Sequence, residues 1–132
     1  AQFEKLDEIN YMRENIYKFY YDGLYDLKKQ GKLRLPIIPK DCKSNYHIFY
    51  ILLNSDEERN YIMDRLKENG ISAVFHYIPL HISPMGLKLG YKKGDLPVTE
   101  NLSGRLLRLP MYPGLKDREI TYIIEKIYDF LA

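Results

Sequence analysis

The sequence predicts an α/β protein, an α+β sandwich in which a small, mostly antiparallel sheet carries helices on one face and a long helix forms the N-terminus. Apolar residues recur in steps of three and four over residues 1–30 and 117–131, the period of a helix with one buried face. Short apolar runs bounded by glycine and proline lie between them and indicate strands. A chain of 132 residues has the size of one domain, so we expect residues 1–132 to share one core.

The first predicted element is a helix over residues 1–30. At 1.5 Å per residue it would be roughly 40 Å long, whereas the radius of gyration of such a domain is near ~14 Å. A helix that overhangs its own domain usually packs on another body, so residues 1–30 are expected to link this domain to a second one. The alternative is a helix broken near Gly23 whose second piece packs back. The apolar positions are Phe3, Leu6, Ile9, Met12, Ile16, Phe19, Tyr20, Leu24 and Leu27.

Glycine and proline delimit the next elements. Gly31 is expected to end the first helix, as a C-terminal glycine often does. Residues 33–37 read as a short strand, and Pro36 places it at an edge because proline has no amide hydrogen to donate. Residues 46–53 are apolar at nearly every position, which predicts a central strand covered on both faces or a strongly aromatic sheet.

A capping box marks the following helix. Ser55 is a favoured N-cap residue, and Glu58 three positions later completes the box. The helix is expected to run to Asn69, where Gly70 stops it, and residues 71–77 form the next strand.

The last third of the chain begins with an irregular segment. Residues 79–94 hold three glycines and two prolines, which is typical of a functional loop with a short helical turn inside it. Residues 99–106 predict a short helix, residues 107–111 a strand and residues 117–131 the closing helix. The inner face of that helix is expected to comprise Ile120, Ile123, Ile124, Ile127 and Leu131.

Composition argues against several classes of function. Twenty Lys and Arg against 18 Asp and Glu leave a net charge of +2, too small to indicate a nucleic-acid or membrane partner. The single Cys42 cannot form an internal disulfide, which favours a reducing cytoplasm. No apolar run approaches the roughly 18 residues that span a bilayer, and the start at Ala1 without Met suggests a fragment or a processed chain.

His76, Tyr77 and His81 are the candidate site residues, because they lie where a strand ends and a loop begins. On a strand His76 and Tyr77 would point to opposite faces, and Pro79 favours a break in the strand. Two interpretations stay open. These side chains contact a sugar hydroxyl or phosphate, or they are bonded within the turn; the residues by themselves favour the second.

The sequence gives little support for a metal site or a catalytic nucleophile. Zinc takes three or four ligands, and beside His76 and His81 the chain offers only Cys42, His47 and scattered carboxylates without ligand spacing. A Cys42–His47 pair lacks a third residue to orient the histidine. We expect Cys42 to be an incidental thiol and His47 a core histidine with one hydrogen-bond partner.

Cofactor binding is not predicted within this chain either. No glycine-rich phosphate loop is present, and the lysines lie on polar helix faces or in charged turns. No catalytic, cofactor-binding or metal-binding residue is therefore assigned. Arg105 and Arg108 lie near a helix-to-strand junction, where they would meet a carboxylate or phosphate or pair at the surface.

Several segments, in the same order along the chain, resemble the C-terminal small domain of the DegT/DnrJ/EryC1/StrS family of sugar aminotransferases, which depend on pyridoxal phosphate (PLP). They are EKLDEIN at 4–10, NYHIF at 45–49, FHYIPLH at 75–81, VTENLS at 98–103, RLLRLP at 105–110 and YPGL at 112–115.

This resemblance implies a fold-type I PLP transferase whose Schiff-base lysine lies in a large N-terminal domain. Residues 1–30 would be the domain-linking helix, the loop at 75–81 would lie at the mouth of the active site, and His76, Tyr77 and His81 would bind substrate. The parent, a homodimer in the cytoplasm, would move an amino group from glutamate to the 4-keto carbon of a dTDP-linked 6-deoxyhexose for lipopolysaccharide or common antigen.

The resemblance also implies that this chain by itself holds no PLP and is inactive. The alternative from another class is a free-standing small α/β binding or interaction module, for example a ferredoxin-like RNA-binding domain. Such a module would show exposed aromatic residues within a basic surface, and the near-neutral charge argues against it.

Overall fold

The computed structural model describes residues 2–131, so Ala1 and Ala132, the ends of the predicted domain, lie outside the described residues. The elements alternate between helices and short strands, with 3-10 turns at Gln2–Lys5 and Leu80–Ile82. In chain order they are α1 (Leu6–Gly23), α2 (Tyr25–Lys29), β1 (Phe49–Leu52), α3 (Asp56–Glu68), β2 (Val74–Phe75), α4 (Pro84–Lys88), α5 (Pro97–Arg105), β3 (Leu106–Leu109) and α6 (Asp117–Leu131).

The three strands form an antiparallel sheet with β3 in the centre and the order β1-β3-β2. Phe49 of β1 pairs with Leu109, and Val74 of β2 pairs with Arg108. The predicted small antiparallel sheet is thereby confirmed. The predicted strand at 33–37 is wrong, because only Arg34 forms a bridge, to Leu52, and the proline two residues later has no amide hydrogen to extend the ladder.

The core lies between one face of this sheet and the helices. The closing helix α6 packs against α1 and α3, and its predicted inner face is confirmed. Phe49 and Ile51 of β1 and Leu107 and Leu109 of β3 are buried, whereas the alternate residue Arg108 lies on the opposite face. The buried side chains of α6 are Ile120, Ile123, Ile124, Ile127 and Leu131.

The N-terminal helix is interrupted at Leu24, so the prediction of one continuous helix over residues 1–30 is wrong and the break expected near Gly23 is confirmed. A side chain at Gly23 would overlap Ile124 of α6, so glycine permits this close approach of the two helices. The two turns before the core expose their apolar side chains, with Phe3 83% and Leu6 44% exposed, while Ile16 is buried.

Local hydrogen bonds shorten the predicted strand at 46–53. The Ser44 hydroxyl accepts from the Tyr46 amide at 3.0 Å, and the Asn45 side chain accepts from the His47 amide at 3.3 Å. Tyr46 adopts a φ of 50°, in the left-handed region that no strand residue uses. These bonds compete with the ladder, so β1 begins only at Phe49.

The capping box of α3 is confirmed with one shift. The Ser55 hydroxyl accepts from the Glu58 amide at 3.1 Å, as expected. The Glu58 carboxylate accepts from the amide of Asn54, one residue before the N-cap, at 2.8 Å. Gly70 has a φ of 74° and follows the end of the helix, as expected.

Replacing Tyr20 by phenylalanine is expected to lower the free energy of unfolding by about 1 kcal/mol. Its fully buried hydroxyl donates to the Pro110 carbonyl at 3.1 Å, and phenylalanine would leave that oxygen without its donor. Urea unfolding measures the loss. The control Tyr25→Phe, on a side chain 42% exposed, should change stability by less than about 0.5 kcal/mol. Equal losses in both variants would assign no role to the Tyr20 hydroxyl.

Candidate functional site

His76 follows the edge strand β2 directly and lines a cavity between the sheet, α1 and the segment at 36–48. The cavity has a volume of about 290 Å³. Its walls come from α1, from the segment at 36–48 and from the sheet; we call it the His76 cavity. The lining residues are Tyr17, Pro36, Ile37, Ile38, Ser44, His47, Ile48, Tyr50, His76 and Leu106.

His76 carries a buried polar atom without a partner. Its Nδ1 is buried and has no hydrogen-bond partner among residues 2–131. Leaving a buried nitrogen unpaired costs free energy, so a polar group from outside the described chain is expected to supply the missing bond. The interpretation in which His76 is bonded within its own turn finds no such bond among these residues.

Tyr77 lies beside His76 and faces outward. The two rings meet edge-on with centroids 4.6 Å apart, and the Tyr77 side chain is 73% exposed. Rings this close do not lie on opposite faces of a strand, and β2 indeed ends at Phe75, before both residues. His76 and Tyr77 therefore bring a half-buried imidazole and an exposed phenol to one place.

His81 lies in a different environment. It is 6% exposed, and its Nε2 lies 2.8 Å from Oε1 of Glu100 in α5. The Gly94 amide donates to the same oxygen at 2.7 Å. The hydrogen bond with His81 and then the one from Gly94 hold the pKa of Glu100 below its ordinary value. The role of His76, Tyr77 and His81 in binding substrate stays a prediction.

Sequence reasoning missed Glu100 and the polar residues that share the His76 cavity. Ser44 and His47 of the segment at 36–48 line it together with Tyr50 of β1. The prediction of His47 as a core histidine is wrong: it is exposed, and its Nδ1 lies 2.6 Å from Oδ1 of Asn45. The turn at Tyr46 removes it from the strand, and only that backbone conformation could have signalled the change.

The two arginines near the junction of α5 and β3 differ in their contacts. Arg105 donates to the Leu53 carbonyl at 2.6 Å and to the Asn101 side chain at 3.0 Å, so it ties α5 to the end of β1. Arg108 lies on the sheet face away from the helices, between Tyr50 and Val74 in the strand register. Its guanidinium remains available for an anionic group at that face.

Cys42 is exposed, as expected for an incidental thiol. Within residues 2–131, no three His, Cys, Asp or Glu side chains come together in a way that would hold a metal ion. No helix in the same part of the chain combines the length and apolar character needed to cross a membrane.

The match to known proteins decides the family. The model of the DegT/DnrJ/EryC1/StrS aminotransferase family matches residues 1–128. The chain belongs to this family. Its members are PLP-dependent sugar aminotransferases, and the family resemblance noted from the sequence motifs is confirmed.

Two curated relatives and one solved structure illustrate the match. The dTDP-3-amino-3,4,6-trideoxy-alpha-D-glucose transaminase of Micromonospora megalomicea subsp. nigra is 36% identical over 129 residues, 93% of this chain and 34% of the relative. A pleiotropic regulatory protein of Geobacillus stearothermophilus is 38% identical over 97 residues, 73% of this chain and 26% of the relative. DesV of S. venezuelae, solved with a ketimine intermediate, superposes with a TM-score of 0.88 at 26% identity, over 98% of this chain and 33% of that one.

These matches show what fraction of its relatives' length the chain covers, as well as its fold. It spans between about a quarter and a third of the length of the curated relatives. The structural neighbours are aminotransferases of PLP fold type I, which confirms the expected fold class.

No PLP site is assigned to the lysines whose contacts are described here. That cofactor requires a lysine for an imine and an acidic partner for its ring nitrogen. Here Lys28 donates to the Tyr21 hydroxyl at 3.1 Å, and Lys32 donates to the Leu131 carbonyl at 2.8 Å. Because these are contacts of the domain surface, no step of the cofactor's chemistry is assigned to them. Three further lysines form exposed ion pairs within one helix each: Lys18–Glu14, Lys29–Asp26 and Lys126–Asp129.

Proposed function

We propose that this chain is the C-terminal small domain of a PLP-dependent aminotransferase that moves an amino group from glutamate to the 4-keto carbon of a dTDP-linked 6-deoxyhexose. The observation that carries the proposal is the family match over residues 1–128 in a chain that covers only 33% of DesV. A relative named as a dTDP-sugar transaminase supports a nucleotide-sugar substrate. The sequence motifs resemble those of dTDP-4-amino-4,6-dideoxygalactose transaminase, and on this resemblance we propose position 4 of the sugar.

The proposed contribution of this chain is to handle the sugar substrate rather than the cofactor. The unpaired Nδ1 of His76 is suited to a hydroxyl or phosphate oxygen, and the exposed Tyr77 ring lies next to it. His81 also belongs to the residues proposed to affect substrate binding. Since its ring is buried against Glu100, its effect on the substrate would run through the position of the Leu80–Ile82 turn.

The proposed partner is a large PLP-binding domain in the same polypeptide, with the parent a cytoplasmic homodimer that supplies surface polysaccharide such as lipopolysaccharide or common antigen. The exposed apolar residues at the start of the N-terminal helix support a contact with such a domain. Phe3, Leu6 and Tyr11 are 83%, 44% and 66% exposed, and isolated domains rarely leave such a group uncovered. We propose residues 1–30 as the domain-linking element and assign PLP to the large domain, so that the chain alone is inactive.

The test begins with the open reading frame that contains this chain and its upstream sequence. The purified full-length protein is mixed first with glutamate and then with dTDP-4-keto-6-deoxyglucose, and the absorbance of the cofactor follows each half-reaction. Nuclear magnetic resonance of the product locates the new amino group. We expect both half-reactions and an amine at position 4. No amine from this 4-keto sugar, with turnover of the 3-keto isomer instead, would refute the proposed substrate, and a reading frame that starts at this chain would favour a free-standing binding module.

In that full-length enzyme, His76→Ala is expected to slow the sugar half-reaction and leave the glutamate half-reaction unchanged. One lost hydrogen bond to a sugar hydroxyl or a phosphate corresponds to a fall in kcat/KM of a few-fold to roughly a hundredfold. His76→Asn should recover part of this, because its amide nitrogen lies near the position of Nδ1. The exposed Tyr61→Ala on α3 is the control and should change neither half-reaction. Equal slowing of both half-reactions by His76→Ala would instead indicate an effect on folding or on the cofactor.

A further inference from the structure

One carboxylate oxygen closes the loop between β2 and α5. Oε1 of Glu100 accepts from the Gly94 amide at 2.7 Å and lies 2.8 Å from Nε2 of His81. The side chains of His81 and Glu100 are 4% and 15% exposed, so water has little access to this pair. The segment from His81 to Gly94 therefore starts and ends at the same atom, and we call it the 81–94 loop.

The interior of this loop is organised by its own contacts. The Ser83 hydroxyl accepts from the Gly86 amide at 3.1 Å and donates to the Leu80 carbonyl at 2.7 Å. The short helix α4 packs against the Leu80–Ile82 turn. The outer side of the loop is exposed, with Leu89 71% accessible. These bonds join parts of the loop only to each other. The hydrogen bonds of Glu100 with His81 and Gly94, in contrast, attach the loop to α5.

The hydrogen bond between His81 and Glu100 also fixes one end of the segment that carries His76 and Tyr77. At one end of this segment Phe75 pairs with Leu107 of β3, and at the other end His81 is bound to Glu100 of α5. Helix α5 runs directly into β3, without an intervening loop. Both ends of the segment at 76–80 are thus attached to one continuous helix–strand unit.

We propose that Glu100 is a positioning residue for the sugar substrate: by binding His81 and the Gly94 amide together it closes the 81–94 loop and sets where His76 and Tyr77 stand. The inference rests on the proposed function of His76 and Tyr77. Glu100 itself lies in the first turn of α5, behind the loop, and acts only through its two partners. Its effect belongs to the binding of the sugar, because the loop it closes is the one proposed to handle that substrate.

The test compares Glu100→Ala with Glu100→Gln in the full-length enzyme. The alanine variant is expected to raise KM for the dTDP-sugar about tenfold, the size of one lost charge-assisted hydrogen bond, with KM for glutamate unchanged. The glutamine variant should stay within about threefold of wild type, because its carbonyl oxygen accepts from both donors. Glu125→Ala, an exposed glutamate of α6, is the matched control and should change neither constant. An unchanged sugar KM in Glu100→Ala, equal rises in both constants, or a glutamine variant as impaired as alanine would each overturn the proposal.

A second measurement separates this inference from the proposed function. Amide hydrogen exchange of Gly94 in the 132-residue chain should accelerate in Glu100→Ala and remain slow in Glu100→Gln. A wild-type enzyme that fails to aminate a dTDP-sugar refutes the proposed function, whatever the exchange rates are. Unchanged Gly94 exchange in Glu100→Ala refutes the closure of the loop by Glu100, whatever the enzyme's substrate is.

Discussion

Phe49→Ala is expected to destabilise the chain by about 3–5 kcal/mol, the cost of removing a fully buried phenylalanine. Phe49 has no exposed surface, and its ring lies 5.0 Å from those of both Tyr20 and Tyr17, stacked on the first and edge-on to the second. Alanine would leave a cavity where β1 meets the N-terminal helix. Because small domains are stable by only about 5–15 kcal/mol, the variant should lose much of its stability.

Urea unfolding followed by circular dichroism measures this effect. Phe49→Leu should lose less than the alanine variant, because most of the buried volume is kept. Phe3→Ala is the matched phenylalanine control: that side chain is 83% exposed, and its removal should change stability by about 0.5 kcal/mol or less. A Phe49→Ala variant no less stable than Phe3→Ala would show that the aromatic contact between β1 and α1 does not stabilise the core.

Gly86→Ala is expected to disrupt the 81–94 loop at a cost of about 3 kcal/mol, the upper part of the range for overpacking. A Cβ on Gly86 would overlap the carbonyl oxygens of Leu80 and His81, which are backbone atoms and cannot rotate away. The Leu80–Ile82 turn must then shift, and the bond between His81 and Glu100 should be lost with it. In the full-length enzyme the sugar half-reaction should fall by about a hundredfold, while the glutamate half-reaction is retained.

Gly104→Ala is the control for this substitution. A Cβ at Gly104 would lie 3.3 Å from the Cβ of Asp56, a contact that a small shift relieves, and alanine favours the helix. Hydrogen exchange of the Gly94 amide should accelerate in Gly86→Ala and not in Gly104→Ala. If Gly86→Ala retains slow exchange and a normal sugar half-reaction, the close approach of α4 to the preceding turn has no role in holding the loop.

Sequence patterns that involve only neighbouring residues predicted the corresponding helices correctly. The step pattern of α6 identified its buried face, and the Ser55 capping box located the start of α3, because both depend on neighbours within a few residues. The motif at 75–81 indicated the family and placed His76 and Tyr77 together at the end of a strand. The sequence by itself thus determined α3 and α6, the antiparallel class of sheet and the segment to examine.

The tertiary structure decided what depends on distant parts of the chain. Gly23 lies where α6 approaches α1 closely, and Arg34 pairs only with Leu52, which lies 18 positions further along the chain. His76 shares its cavity with residues of the segment at 36–48, and the buried His81 contacts Glu100, 19 positions away. Periodicity and capping reveal which face of an element is apolar, whereas the partner of a polar side chain depends on long-range packing that no local pattern encodes.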